Sequence, residues 1–329
     1  MKKDNLIIIR TEGGLCSQIY YASLGQYFTD KGYQVKYDLT WFKEYGMCNN
    51  MAFARNYDID KAFPKLALEF ASDDEVKLYK QKYKYDGSKS LLDFPPPLYI
   101  EGFPAERCYM IPYKADIINY FKEYFCPKEF GNKNSSLYKL LQNIQNGNSC
   151  GVHCRRGDLG DFHPAYGYSA SVEYFLKSIN IINAIHKNVC FYFFSDEPHW
   201  IKENIAPHLR EIKYKICDEN GSDKGYLDLY LLSWCKFIIS SNGSLGVFAK
   251  FLSKRENAHL YLCKYRADCQ YLSEVYVIND PNTYIPYNPF DTPFKPDITQ
   301  KCKKKYRIYR ALFVTTIIIQ AVFIAFWLL

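Results

Sequence analysis

The chain has 329 residues, 48% apolar and 23% charged. That composition excludes an intrinsically disordered chain, and the length exceeds one typical hydrophobic core, so two medium domains are expected. The net charge of +7 is concentrated in Lys301, Lys303, Lys304, Lys305, Arg307 and Arg310, which leaves a body near +1 and excludes a basic nucleic-acid groove spread over the fold. Twelve cysteines occur without a CxxC pair or a His-x-His motif, which argues against a zinc site. Cys150, Cys154 and Cys190 sit in or beside apolar strands, so a reducing compartment is expected.

In chain order, Leu6–Arg10 reads as a strand, too short an apolar run for a signal peptide. Thr11–Ser17 is a glycine-containing turn. Gln18–Lys31 is a helix with Tyr20, Leu24, Tyr27 and Phe28 on one face, closed by Gly32. Gln34–Tyr37 is a second strand. The stretch 40–110 reads as irregular, with Pro95–Pro97 as a breaker. Polar runs at Gly131–Ser136 and Asn143–Ser149 are two candidates for a domain junction, which divides the chain into 1–140 and 141–280. A second series then follows. Cys150–Arg155, Val189–Ser195, Glu211–Cys217, Phe237–Ser241 and His259–Cys263 read as strands, and Ser169–Ile185, Leu227–Cys235 and Leu245–Ser253 as helices. Short strands alternating with amphipathic helices imply an α/β fold with parallel sheets. Residues 281–310 read as a linker and basic collar. Ala311–Leu329 carries no formal charge and as a helix would be about 28 Å long, close to the roughly 30 Å hydrocarbon core. Its basic flank places that side in the cytoplasm, so a C-terminal transmembrane helix on the inner membrane is expected, over a docked core helix or an interfacial one.

Ligands of parallel α/β sheets bind at the carboxyl ends of strands, which directs attention to three turns. In the first, Thr11–Ala22, Gly13 and Gly14 stand between strand and helix, where a bare backbone can approach a phosphate or sugar; a simple tight turn uses the same residues. In the second, Val152–His163, Arg155 and Arg156 follow an apolar strand, with Arg155 on the side of His153. Two such guanidinium groups need anionic partners: a diphosphate suits one, and an Arg156–Asp158 pair that fixes the turn suits the other. In the third, Tyr226–Ser253, Asn242 or Ser244 can cap the following helix, whose N–H groups can also take phosphate oxygens.

These segments, with Phe191–Asn204 and Tyr99–Phe103, together resemble the bacterial and animal α-1,2-fucosyltransferases of glycosyltransferase family 11, over residues 6–265. The chain departs from that pattern at Cys16–Ser17, where the family has Gly-Asn, and at Gly243–Phe248, where two Trp are missing. The resemblance implies a GT-B-like arrangement: two Rossmann-like domains with a cleft between them, the C-terminal one holding the donor. It implies that Arg155 holds the diphosphate of GDP-fucose, that His153 and Asp228 lie near the guanosine, and that Asn242, Gly243 and Ser244 face the phosphates. Gly13, Gly14 and Gln18 would close the cleft from the N-terminal, acceptor side. Fucose would pass with inversion to the 2-hydroxyl of a galactose-containing glycan acceptor, lipid-linked at the membrane, as in O-antigen synthesis. Arg155 would stabilise the leaving phosphate, and Asp158, Asp161 or His163 would take the acceptor proton. No metal and no nucleic acid are expected as partners. Competing readings are a transferase for another GDP-sugar, such as GDP-mannose, and a tethered nucleotide-sugar or glycan-binding protein without turnover.

Overall fold

The computed structural model describes residues 5–44, 55–87, 90–102, 114–157, 168–221, 223–264, 269, 272–280 and 283. In the first part of the chain β1 (Leu6–Arg10) leads to α1 (Leu15–Asp30), β2 (Gln34–Asp38), α2 (Thr40–Glu44), α3 (Ile59–Ala62), α4 (Asp73–Lys82) and β3 (Leu98–Ile100). The three strands form a parallel sheet in the order β2-β1-β3. Ile7, Ile8 and Ile9 of β1 are fully buried, as a central strand covered on both faces must be.

The elements α2, α3, α4 and β3 escape the reading of 40–110 as irregular, and the last two show why. Helix α4 exposes most of its surface and buries only Val76 and Tyr79, so its apolar stripe is too thin to read. Its start was legible in another way. The Ser72 hydroxyl accepts from the Glu75 amide while the Glu75 carboxylate accepts from the Ser72 amide, a complete capping box. Strand β3 has three residues behind three prolines, yet Leu98, Tyr99 and Ile100 pair with Ile7, Ile8 and Ile9.

α5 (Ala115–Tyr124) and α6 (Ser136–Asn146) link to the second series: β4 (Asn148–Cys154), α7 (Val172–Ile185), β5 (Val189–Ser195), α8 (Pro198–Asn204), β6 (Lys213–Ile216), α9 (Gly225–Ser233), β7 (Phe237–Ser240), α10 (Leu245–Phe251), β8 (His259–Leu262) and β9 (Val275–Val277). Helix α6 runs through position 140 and is capped by Ser135, so both polar runs proposed as junctions belong in part to it. The sheet is parallel throughout, in the order β6-β5-β4-β7-β8-β9. The chain moves outward from β4 to β6, then returns to the other side of β4 for β7. That is the strand order of a dinucleotide-binding fold, with its switch point between β4 and β7.

Side-chain alternation divides the core. Cys150, Val152, Phe191 and Phe193 face α7 and α8, where Phe175, Ile179 and Ile201 cover them. Tyr192, Phe194 and Ile238 face α9 and α10. On that second side one continuous core takes in Ile19 of α1, Ile59 and Ala62 of α3, Phe121 of α5 and Leu229 of α9. The Phe125 and Phe130 rings pack on Tyr230 at 5.1 and 4.5 Å, and the Tyr226 hydroxyl donates to Glu129. Both sheets therefore belong to one compact unit, Met1–Pro286. Among the described residues no helix is long and apolar enough to cross a membrane; the linker 281–310 is almost wholly, and the segment 311–329 wholly, outside them.

Candidate active site

The switch point between β4 and β7 is built by direct contacts. Strand β4 ends at Cys154, so Arg155 is the first residue past it rather than its last member. The Ser241 amide donates to the His153 carbonyl at 3.0 Å, and the Arg155 amide donates to the Ser241 hydroxyl at 3.0 Å. A β-carbon on Gly243 would lie 3.4 Å from Arg155 Cδ and 3.6 Å from His153 Cε1. Those are ordinary contact distances, so the turn after β7 lies beside His153 of β4 and Arg155 just past it.

His153 is 7% exposed, and its Nδ1 has no hydrogen-bond partner. Burial, and then the charge of Arg155, push its pKa down to about 3, so the imidazole is neutral at physiological pH. An unpartnered ring nitrogen in a buried site is costly unless a ligand completes it.

Arg155 is half-buried and Arg156 takes a different path. The Arg156 guanidinium lies 3.8 Å over the Trp200 ring, its Nε sits 3.7 Å from Glu197, and its amide donates to Asp196. It ties the end of β4 to the end of β5, the structural half of the division of labour expected for the pair. Its expected partner Asp158, together with Asp161 and His163, lies outside the described residues.

Two expected ligand groups are redirected. Asn242 is 1% exposed and donates from Nδ2 to the Tyr168 carbonyl at 2.8 Å, which anchors the turn to the segment before α7. Of the Asn242–Gly243–Ser244 trio, Gly243 meets Arg155, and Ser244 is the half-buried N-cap of α10 with no side-chain capping bond. Gln18 is 0% exposed, and it does not close a cleft. Its Nε2 donates to the Gly13 and Asn56 carbonyls, and its Oε1 accepts from the Asp58 and Ile59 amides. Helix α1 starts at Leu15, three residues earlier than expected, so Gln18 lies inside it and pins the glycine turn to the start of α3. Gly13 adopts φ +77°, a conformation that explains the glycine there. Gly14 is the N-cap of α1, and a β-carbon on it would meet Arg55 Nη1 at 4.0 Å.

Asp228 stands in the first turn of α9 and accepts from Asn220 Nδ2 at 2.6 Å. It keeps a strip of accessible surface, but desolvation pushes its carboxyl up to about 7 against that hydrogen bond. Asn220 follows β6, two strands from β4, roughly 10 Å along the sheet edge. Sequence reasoning missed Ser241, Asn220 and Arg55. Ser241 had a visible signal, as a hydroxyl residue just past a buried strand; Asn220 stands eight residues before Asp228 in a loop with no periodic pattern, and Arg55 lies far in sequence from Gly14. Among the described residues no three His, Cys, Asp or Glu side chains cluster as metal ligands.

Residues 126–280 match the sequence model of Glycosyl transferase family 11. The Alpha-1,2-colitosyltransferase of Escherichia coli is 24% identical over 277 residues, covering 75% of this chain and 88% of that one. Solved structures with a similar course include POFUT1 in complex with GDP-fucose (TM-score 0.42, 11% identity, 81% of this chain and 99% of that one). They also include NodZ alpha-1,6-fucosyltransferase soaked with GDP-fucose (0.39, 16%, 76% and 93%). A third is the glycosyl transferase family 9 protein of Veillonella parvula DSM 2008 (0.44, 9%, 88% and 90%). The matched segment contains both strand ends that meet at the switch point, so the likeness to glycosyl transferase family 11 falls on the candidate site itself.

Proposed function

We propose that the protein transfers L-fucose from GDP-β-L-fucose to the 2-hydroxyl of a galactoside, with inversion. The observation that carries this reading is the convergence of His153, Arg155 and Gly243 at the switch point of the segment that matches family 11. A diphosphate fits that place. The Arg155 guanidinium can bind it bidentately, and the neutral His153 ring can complete its hydrogen bonds there. The spacing from β4 to β6 lets a nucleoside extend toward Asp228, whose carboxyl, once ionised, accepts from ring N–H groups of a base such as guanine. The β2-β1-β3 sheet and the six-stranded sheet would then be the two Rossmann-like units of a GT-B enzyme.

In the reaction the bond between the fucosyl C1 and the β-phosphate oxygen breaks. The acceptor 2-hydroxyl oxygen bonds to C1 from the opposite face. The acceptor proton passes to a base drawn from Asp158, Asp161 and His163. Negative charge grows on the leaving phosphate, and a fixed cation at Arg155 stabilises it in the transition state more than in the ground state. We assign that electrostatic role to the protein and expect no metal requirement. The segment 311–329 would hold the enzyme on the cytoplasmic face of the inner membrane, where each basic residue of its collar adds about 1 kcal/mol on anionic lipid. A lipid-linked acceptor for a surface polysaccharide suits that address.

A second reading keeps the site and changes the sugar, supported by the likeness to a colitosyltransferase. The deciding experiment incubates the full-length protein in EDTA with simple galactosides and, in turn, GDP-fucose, GDP-mannose and a colitose donor. Linkage analysis of the product reads donor, regiochemistry and metal need together. An α-1,2-linked fucoside formed in EDTA supports the first reading, and product from the colitose donor alone replaces it with the second. Absence of product from every donor overturns both.

A further inference from the structure

A second cavity lies away from Arg155, in the first part of the chain. It has a volume of about 360 Å³, at the low end of the roughly 300–1,000 Å³ typical of small-ligand sites. Leu39, Leu66 and Leu68 line it, together with Tyr57, Asp60 and Phe70. Leu39 follows β2 directly, so the cavity opens beside the carboxyl end of the first sheet, the edge where such sheets bind ligands. Gln18 ties its wall to the glycine turn, because the amides of Asp58 and Ile59 and the carbonyls of Gly13 and Asn56 all bond to that one side chain. On the far side of α3, Lys61 lies 5.9 Å over the Tyr226 ring of α9, the helix that carries Asp228.

The chemistry of the lining is specific. Phe70 is 50% exposed, an unusual state for a large apolar ring, and it packs edge to face with Tyr57 at 6.0 Å. Phe42 holds Tyr57 from the other side at 5.7 Å. The Tyr57 hydroxyl oxygen is buried and has no hydrogen-bond partner. Burial, and after it the charge of Asp60, raise that hydroxyl above its ordinary value, so the two groups feel each other. Asp60 itself is exposed at the rim.

We infer that this cavity is the binding subsite for the pyranose ring of the acceptor sugar, an inference that rests on the glycosyl-transfer reading above. A pyranose presents C–H groups on one face and hydroxyls at its edge. The exposed face of Phe70 covers the former, while the unpartnered Tyr57 hydroxyl and the Asp60 carboxylate meet the latter. The lining offers a diphosphate no cationic side chain to pair with, which disfavours the donor there. A purely apolar ligand would leave the buried Tyr57 hydroxyl unsatisfied.

Saturation-transfer NMR of methyl β-galactoside with the full-length protein tests this without turnover. The wild type should transfer saturation to the sugar ring. Phe70→Ala should weaken sugar binding about tenfold, and the near-isosteric Tyr57→Phe and Asp60→Asn should each weaken it severalfold, with GDP affinity unchanged in all three. In assays of transfer the same variants should raise the acceptor KM and leave the donor KM in place. If Phe70→Ala fails to fold, Tyr57→Phe and Asp60→Asn decide. No saturation transfer to the wild type, or wild-type sugar binding in these variants, overturns the subsite. A wild type that binds the galactoside but forms no product from any donor overturns the transfer reading and leaves the subsite standing.

Discussion

The backbone amide of Arg155 donates to the hydroxyl of Ser241 at 3.0 Å, across 86 residues of chain, and locks the end of β4 to the end of β7. The position of the guanidinium depends on this bond. Ser241→Ala should cost about 1 kcal/mol of stability, the usual worth of one such bond, and lower kcat by more than that loss of stability explains. Arg155→Lys keeps the charge but loses the planar fork, so turnover should fall about 10²-fold with an unchanged circular dichroism spectrum. Near-normal rates for Arg155→Lys would remove Arg155 from catalysis.

Gln18 makes four hydrogen bonds to backbone groups from a site closed to solvent. Gln18→Leu preserves much of the volume but orphans those groups. Urea unfolding should show a loss of about 2–4 kcal/mol. A loss below about 0.5 kcal/mol would mean that the glycine turn is held by something else.

His153 links pH to stability with a definite sign. Its pKa falls from 6.5 to about 3 on folding, chiefly through desolvation. Between those values the unfolded chain binds a proton that the native chain refuses, so stability falls as pH drops below about 6.5. At pH 5 the loss should be about 2 kcal/mol relative to pH 7. His153→Asn should remove that part of the slope in urea melts compared at the two pH values.

Asp228 acts in the opposite direction. Burial raises its folded pKa from 3.8 to about 7. The native state therefore holds the extra proton, and stability falls as pH rises from about 4 to about 7, then levels off. Asp228→Asn should match the wild type at pH 4 and gain on the order of 1 kcal/mol at pH 8, a figure discounted for the strip of accessible carboxyl. The same variant should weaken GDP binding at pH 8, where the ionised carboxylate of the wild type accepts from the base. Calorimetric titration with GDP measures this directly.

Much was legible in the sequence. Leu6–Arg10 and Val189–Ser195 are strands with the expected bounds, because short apolar runs rich in β-branched or aromatic residues between polar turns favour buried strands over helices. The pairing of Arg155 with the turn after Phe237–Ser240 followed from the rule that parallel strands bring their carboxyl ends to one edge. Helix α4 and strand β3 stayed hidden, since one buries too few apolar groups and the other owes its strand conformation to its pairing with β1.

The sequence by itself determined the parallel α/β class and the strand end at which His153 and Arg155 lie, and it carried the resemblance to glycosyltransferase family 11. Those properties depend on local periodicity and on residues close together in the chain. Only the tertiary structure decided that Gln18 and Asn242 spend their hydrogen bonds on backbone, and that Arg156 stacks on Trp200. It alone brought Tyr57, Asp60 and Phe70 around one cavity. The role of a polar side chain depends on what the fold places against it, and those partners are 38, 74 and 44 residues away in the first three cases, where no local pattern can reveal them.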